Sequence, residues 1–232
     1  MSWGQRSYEK ELLDGTGNSF EEIRQNMVEL NNINHWLGGH KITINGLRRI
    51  ALKKQVLHVC EIGCGGGDNL AVIYNWALKN GISVKCSGID INEDCISFAK
   101  QQFPQGIYFT GDYRKVRLPE MPDIVFSSLF CHHFSDDEIA EQLSWMHDHC
   151  KIGFFINDLH RNALAYYSIK LLTWLFSRSR LVKHDAPLSV RRSFTRREWE
   201  QLFRRSGIAA GKIHWKWAFR WLITFSKEAH EN

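Results

Sequence analysis

The chain has 232 residues, enough for one large domain around a single hydrophobic core. With 44% apolar and 24% charged residues it reads as a soluble globular protein, and a net charge of +5 favours anionic partners without by itself indicating nucleic-acid binding. Six cysteines, at 60, 64, 86, 95, 131 and 150, lack the paired spacing of a zinc site and several sit in apolar runs, which predicts reduced structural thiols and a cytoplasmic protein.

Residues 1–18 have neither periodicity nor the apolar core of an export signal and read as a loose arm. Ser19 and Glu22 form a capping box, and Phe20, Ile23, Met27 and Leu30 then recur at helical spacing until Gly38-Gly39 breaks the pattern. A second helix is predicted from about Thr43 to Lys54. From there apolar runs alternate with helical patterns. Strands are predicted at 56–63, 84–91, 106–112, 122–130 and 152–159, with helices at 70–79, 93–102 and 135–147 between them. Such alternation implies parallel βαβ units and a sheet covered on both faces. Residues 163–177 form a strongly apolar helix, interrupted by Lys170 and shorter than the ~20 residues of a membrane span. A helix at 195–206 follows, and strands at 212–217 and 219–227 are joined too tightly for a helical crossover, so they pair antiparallel. The fold class is α/β: a doubly wound, mostly parallel seven-stranded sheet with a C-terminal antiparallel hairpin and an N-terminal helical segment. One domain spans 1–232, with an N-terminal helical lid segment (1–54), a core (56–160), an insertion on the substrate side (161–194) and a C-terminal helix and hairpin (195–232).

EIGCGGGD, Glu61–Asp68, lies at the carboxyl end of the first strand and opens a helix. Glycines there let the backbone turn sharply and approach a ligand, and ligands of open α/β sheets bind outside the carboxyl ends of the strands. Asp90 ends the second strand, where a carboxylate can accept both hydroxyls of a ribose. Asp112 follows the third, where an acid can accept from an adenine amino group. A nicotinamide-binding G-x-G-x-x-G loop would need Gly or Ala at 68, whereas Asp68 opposes a pyrophosphate at the helix start.

EIGCGGG, GIDI (88–91), GDY (111–113) and PDIVFSSLFCHHF (122–134) together resemble the class I S-adenosylmethionine-dependent methyltransferases, over roughly residues 56–160, and the final hairpin matches that family's antiparallel strands. The resemblance implies S-adenosylmethionine as cofactor and S-adenosylhomocysteine as product. It places Gly63, Cys64, Gly65 and Gly67 against the methionine part with Glu61 organising the loop, Asp90 at the ribose, and Asp112 and Tyr113 at the adenine, with Ile91 also among the cofactor-binding residues. Ser128 and Leu129 would border the sulfonium.

His132 and His133 follow the fourth strand and His160 ends the fifth, so each is a candidate for taking the acceptor's proton. Packing or capping before Ser135 is the alternative for the first two. Asp158 and His160 alternate along an extended strand and can face one side, either as an acid–imidazole pair or as bonds closing the strand end. No metal is expected, since a sulfonium is already a good leaving group. Tyr166, Tyr167, Trp174 and Phe176 make the 163–177 helix a lid over a lipophilic acceptor, a membrane contact or plain core, with Trp36 closing from the other side. The expected activity is methyl transfer to a small or lipophilic acceptor at oxygen, akin to quinone and polyketide methylation, with no nucleic acid bound. An RNA or protein methyltransferase docking through Arg178, Arg180, Lys183, Arg191, Arg192, Arg196 and Arg197, or a non-catalytic cofactor-binding module, are the rival readings.

Overall fold

Apolar runs bounded by glycine, proline and polar turns become seven strands of one sheet. The computed structural model describes residues 3–15, 17–51, 54–209 and 211–227. β1 (Val56–Ile62), β2 (Ser83–Asp90), β3 (Ile107–Thr110), β4 (Ile124–Ser128) and β5 (Gly153–Leu159) are parallel. β6 (Lys212–Lys216) and β7 (Arg220–Ser226) form the hairpin, and β7 inserts antiparallel between β5 and β6. The order is β3-β2-β1-β4-β5-β7-β6, so the winding direction reverses between β1 and β4. That switch point opens the crevice in which ligands of such sheets bind.

Eight helices accompany the sheet among the described residues: α1 (Phe20–Trp36), α2 (Gly39–Ile50), α3 (Asp68–Lys79), α4 (Glu93–Gln102), α5 (Asp136–Asp148), α6 (Ala163–Phe176), α7 (Arg180–Arg192) and α8 (Arg196–Ser206). Capping boxes Ser19/Glu22, Ser135/Glu138 and Thr195/Glu198 start α1, α5 and α8 by satisfying orphan backbone donors. On one face Leu143 and Met146 of α5 and Trp199 and Phe203 of α8 pack on Phe154 and Ile223. On the other, Leu47 and Ile50 of α2 and Leu70 and Ile73 of α3 cover Phe126 and Phe155, whose rings stack at 4.8 Å. Each such side chain gains about 1.5–3 kcal/mol on burial, which fixes the sheet between its two layers.

Three features differ from expectation. α2 begins at Gly39 rather than Thr43, because Gly38 takes φ +77° and lets one helix follow the other directly. It ends at Ile50; residues 52 and 53 of its expected last turn lie outside the described residues. α7 lies in the second half of the insertion, where no element was predicted; Pro187 inside it and its many polar residues hide the period. The arm before Asn18 is docked, not loose. Arg6 is buried, donating to the Arg192 carbonyl at 2.7 Å, pairing with Asp136 at 2.6 Å and lying 3.7 Å over the Phe194 ring. Such anchors are polar and remote in sequence, so no local periodicity marks them.

Candidate active site

The glycine loop leaves β1 where only glycine fits. Gly63 has φ +66°, and a Cβ there would come 2.1 Å from the Phe130 ring. Gly67, φ +74°, caps the start of α3. The loop is tied to β2: Gly65 N–H donates to Asp90 Oδ2 at 2.8 Å while Asn92 N–H donates to Oδ1 at 2.9 Å. Burial raises the Asp90 pKa even against these bonds. Glu61 Oε1 accepts from Asn69 Nδ2 at 3.0 Å, and Oε2 is buried without a partner. Burial, with Asp68 and Asp90 nearby, pushes the Glu61 carboxyl well above its ordinary range. The Ser128 hydroxyl and both polar atoms of the Asn26 side chain are also buried and unpartnered. These orphaned atoms, a lone carboxylate oxygen among them, fit a polar, cationic ligand group at the loop.

A polar network supports this end from behind. Thr43 Oγ1 donates to Asn69 Oδ1 at 2.9 Å, and Asn157 Nδ2 donates to Thr43 Oγ1 at 3.1 Å. The fully buried Arg220 donates to Asn34 Oδ1 at 2.8 Å, and burial lowers its pKa to about 10. Asp68 accepts from Asn34 and lies 2.8 Å from His40 Nε2. Asp112 is clamped by Arg114, whose Nε and Nη2 donate at 2.9 and 2.7 Å and hold its carboxyl below the usual range. Tyr113 is buried among Phe130, Phe134 and Trp145.

Glu61, Asp68, Asn69, Asp90, Asp112, Tyr113, Asn34 and Arg220 line one cavity of about 1210 Å³, with Thr43, His40 and Asn157 behind it. Pockets for one small molecule run to about 300–1,000 Å³, so there is room for two. Each residue expected at the cofactor, from Glu61 through the loop to Asp90, Ile91, Asp112, Tyr113, Ser128 and Leu129, lines it. Its apolar lining includes Leu30 and Ile33 of α1, Leu37 just after that helix, Ile169 and Leu172 of α6, and Phe219, beside the polar Asn26, Asn31 and Asn34 of α1 and Ser168 of α6. Three non-glycine residues with positive φ, Leu129, Ala218 and Phe219, line the same cavity. Backbone held this way costs about 1–3 kcal/mol per residue and recurs where a ligand is gripped.

His132 and His133 stand in a 3₁₀ turn, Cys131–His133, and line the cavity; His160 does not. The His160 ring packs 4.7 Å from Trp221, and burial lowers its pKa; of the two readings of Asp158 and His160, the acid–imidazole pair between them is not the one formed. Asp158, with no exposure, instead faces His132, Oδ1 to Nδ1 at 2.8 Å. Burial would raise the Asp158 pKa, but His132 beside it carries it below the usual value. Glu11 and Asp14 of the arm complete the group, and the sequence offered no local signal for them. His132 Nε2 lies 3.6 Å from Glu11 Oε1, His133 Nε2 3.7 Å from Glu11 Oε2, and His133 Nδ1 3.1 Å from Asp14. Burial alone would lower the His133 pKa; Asp14 and Glu11 raise it.

The apolar helix α6 is divided. Ala165, Ser168, Ile169 and Leu172 line the cavity, while Tyr167, Trp174 and Phe176 are exposed, Trp174 by 69%. Tyr166 packs on Trp3. The aromatic side chains expected to line an acceptor pocket therefore point elsewhere, and smaller aliphatic ones take that place. No helix among the described residues is long and apolar enough to cross a membrane.

Residues 59–153 match a family model described as a methyltransferase domain. No curated protein matches the chain. Solved structures share the fold. Human N-acetylserotonin methyltransferase in complex with S-adenosylmethionine is 19% identical with TM-score 0.61, covering 90% of this chain and 56% of its own. The plantazolicin methyltransferase BpumL, in complex with a monoazolic desmethylPZN analogue and S-adenosylhomocysteine, is 15% identical with TM-score 0.62, covering 88% of this chain and 95% of its own. An O-methyltransferase family 2 protein from Planctomyces limnophilus, in complex with apigenin, is 12% identical with TM-score 0.65, covering 91% and 62%. The chain thus spans little more than half of the human protein.

Proposed function

We propose that this chain, an S-adenosylmethionine-dependent methyltransferase by its domain at 59–153 and its class I fold, methylates an oxygen of a small, largely apolar acceptor. The observation that carries this reading is one cavity lined both by the glycine loop and by aliphatic side chains of α1 and α6, with His132 and His133 on its wall. S-adenosylmethionine supplies a methyl group on a sulfonium, and transfer to a hydroxyl leaves a methyl ether, S-adenosylhomocysteine and one proton.

The residues divide the work. Gly63–Gly67 and Glu61 hold the methionine part, Asp90 the ribose, and Asp112 and Tyr113 the adenine. Leu129, with φ +53°, borders the transferred methyl. The apolar wall orients the acceptor and excludes water, which is most of what methyl transfer asks of a protein. The hydroxyl meets the methyl group beside His132 and His133, where its proton leaves. Two of the structural relatives fit this reading, one in complex with a flavonoid, apigenin, and one named for N-acetylserotonin.

The basic stretch fits a macromolecular acceptor less well. Arg192 is buried, donating to the carbonyls of Glu9, His132 and His133, while Arg180 and Arg196 pair with Glu22 and Glu200. The test is a transfer screen with methyl-labelled cofactor over phenols, quinols, hydroxylated fatty acids and RNA. Label in an organic-soluble ether is the expected result. Label confined to RNA or protein overturns the acceptor class, and cofactor binding with no transfer to any acceptor favours a binding module.

A further inference from the structure

We propose that Glu11, His132 and His133 form a binding site for one divalent cation of the zinc class, at the wall where the acceptor meets the cofactor. One ligand atom from each of the three residues lies within 4.8 Å of the others. The two imidazole nitrogens are 3.6 and 3.7 Å from the two oxygens of Glu11, beyond hydrogen-bond length. Ligands of a tetrahedral zinc ion with bonds of ~2.1 Å stand about 3.4 Å apart, so small side-chain rotations bring these atoms onto one ion.

The groups behind the ligands make the same case independently. A metal-binding histidine gives its other ring N–H to a carboxylate, which fixes the tautomer and aims the free lone pair at the metal. Both histidines are placed this way: His132 Nδ1 on Asp158 at 2.8 Å and His133 Nδ1 on Asp14 at 3.1 Å. Ser189 Oγ donates to Glu11 Oε1 at 2.8 Å and orients the third ligand. Two imidazole nitrogens and a carboxylate thus converge.

The surrounding carboxylates are also favourable to a cation. Glu11, Asp14 and Asp158 bring three negative charges, against which Arg192 stands 3.9 Å from Glu11 and 3.8 Å from Asp14. Arg6, the other nearby guanidinium, is paired with Asp136. Two imidazoles with one carboxylate favour zinc-class ions over magnesium or calcium, which prefer all-oxygen shells. All three ligands line the cavity, so a fourth position faces its interior, as in catalytic rather than structural sites. An acceptor hydroxyl bound there would lose its proton more readily, although the sulfonium itself needs no metal. The arm carrying Glu11 and Asp14 would be locked down by the same ion.

Binding is measured without cofactor or acceptor, so it stands or falls apart from the function proposed above. The full chain, stripped with a chelator, is titrated with Zn²⁺ against a chromogenic competitor, and with Co²⁺ to read its ligand-field bands. One equivalent of Zn²⁺ and a Co²⁺ spectrum of nitrogen and oxygen ligation are expected. Glu11→Gln and His133→Ala should each weaken binding at least about a hundredfold, and Asp14→Asn about ten- to a hundredfold, with S-adenosylhomocysteine affinity and circular dichroism unchanged. Should Glu11→Gln fail to fold, His133→Ala and Asp14→Asn carry the comparison. Absence of stoichiometric binding, thiolate charge-transfer bands from Co²⁺, or unchanged affinity in the folded variants overturns the site.

Discussion

Asp158 holds His132 at two points, Oδ1 at 2.8 Å from the ring Nδ1 and Oδ2 accepting the backbone N–H at 3.2 Å. The pair joins the end of β5 to the turn after β4. An amide at 158 keeps the shape but can present its N–H where the ring nitrogen needs an acceptor, which turns the imidazole or breaks the contact. Asp158→Asn should therefore lower kcat on the acceptor found by the screen by about a hundredfold, the low end of what positioned proton transfer contributes. S-adenosylhomocysteine affinity should stay within a few fold. His160→Ala is the control: its ring lies on Trp221 outside the cavity, so turnover should persist while Tm falls. Equal losses of turnover in the two variants would refute the assignment.

The glycine loop and the acids at the strand ends were legible in the residues, and the groups around His132 much less so. α4 spans Glu93–Gln102 as expected, because Asn92 caps it and its apolar spacing is regular. Every strand appears within a few residues of its apolar run. Asp158 and His160 do share parity along β5, but parity says nothing about partners. Asp158 takes its imidazole from the turn after β4, and His160 takes its contact from β7. Glu11, Asp14 and Arg6 act through polar contacts more than a hundred residues away in sequence, and such contacts leave no period. Helix α6 was read as apolar, correctly, yet apolarity alone did not tell which face lines the cavity.

Removing Asp90, the carboxylate proposed to hold the ribose, should weaken cofactor binding alone. Asp90 is nearly buried and already orders the Gly65 and Asn92 N–H groups, so Asp90→Ala loses both loop and ligand contacts. Charge-assisted hydrogen bonds are worth about 1.5–3 kcal/mol, or roughly ten- to a hundredfold in S-adenosylhomocysteine affinity by calorimetry. Calorimetric binding of NAD in place of S-adenosylhomocysteine by the unaltered chain would overturn the cofactor assignment.

Glu61 gives a pH signature. Its folded pKa is raised well above the ordinary 4.5, first by burial. A group raised on folding contributes its stability fully below the unfolded pKa and loses it as pH climbs through the folded one. Glu61→Gln abolishes that loss while its Oε1 can still accept from Asn69. The Tm of the variant relative to the unaltered chain should thus improve steadily as pH rises from about 4.5. The same variant should bind S-adenosylmethionine more weakly, because the carboxylate facing the cationic end of the ligand is gone. A Tm difference independent of pH would mean that Glu61 is ionised in the free protein.

The acceptor end is probed best on α6, where neighbouring residues face opposite ways. Leu172 lines the cavity at 39% exposure, whereas Trp174, two residues on, is 69% exposed and outside it. Leu172→Asn replaces apolar wall by an amide that an apolar acceptor cannot satisfy. It should raise the acceptor's KM about five- to tenfold, the equivalent of ~1–1.4 kcal/mol, and leave the cofactor's KM unchanged. Because Leu172 is already partly exposed, little folding stability is at stake. Trp174→Ala removes a larger side chain, but one that touches little of the core, so a change near the surface norm of about 0.5 kcal/mol, or a degree or two in Tm, is expected. With a soluble acceptor neither of its KM values should move. Measuring Tm and both KM values for the two variants separates the faces. An acceptor-specific rise at Trp174 with none at Leu172 would show that the helix turns its outer face to the ligand, and that the pocket assigned between α1 and α6 is not where the acceptor sits.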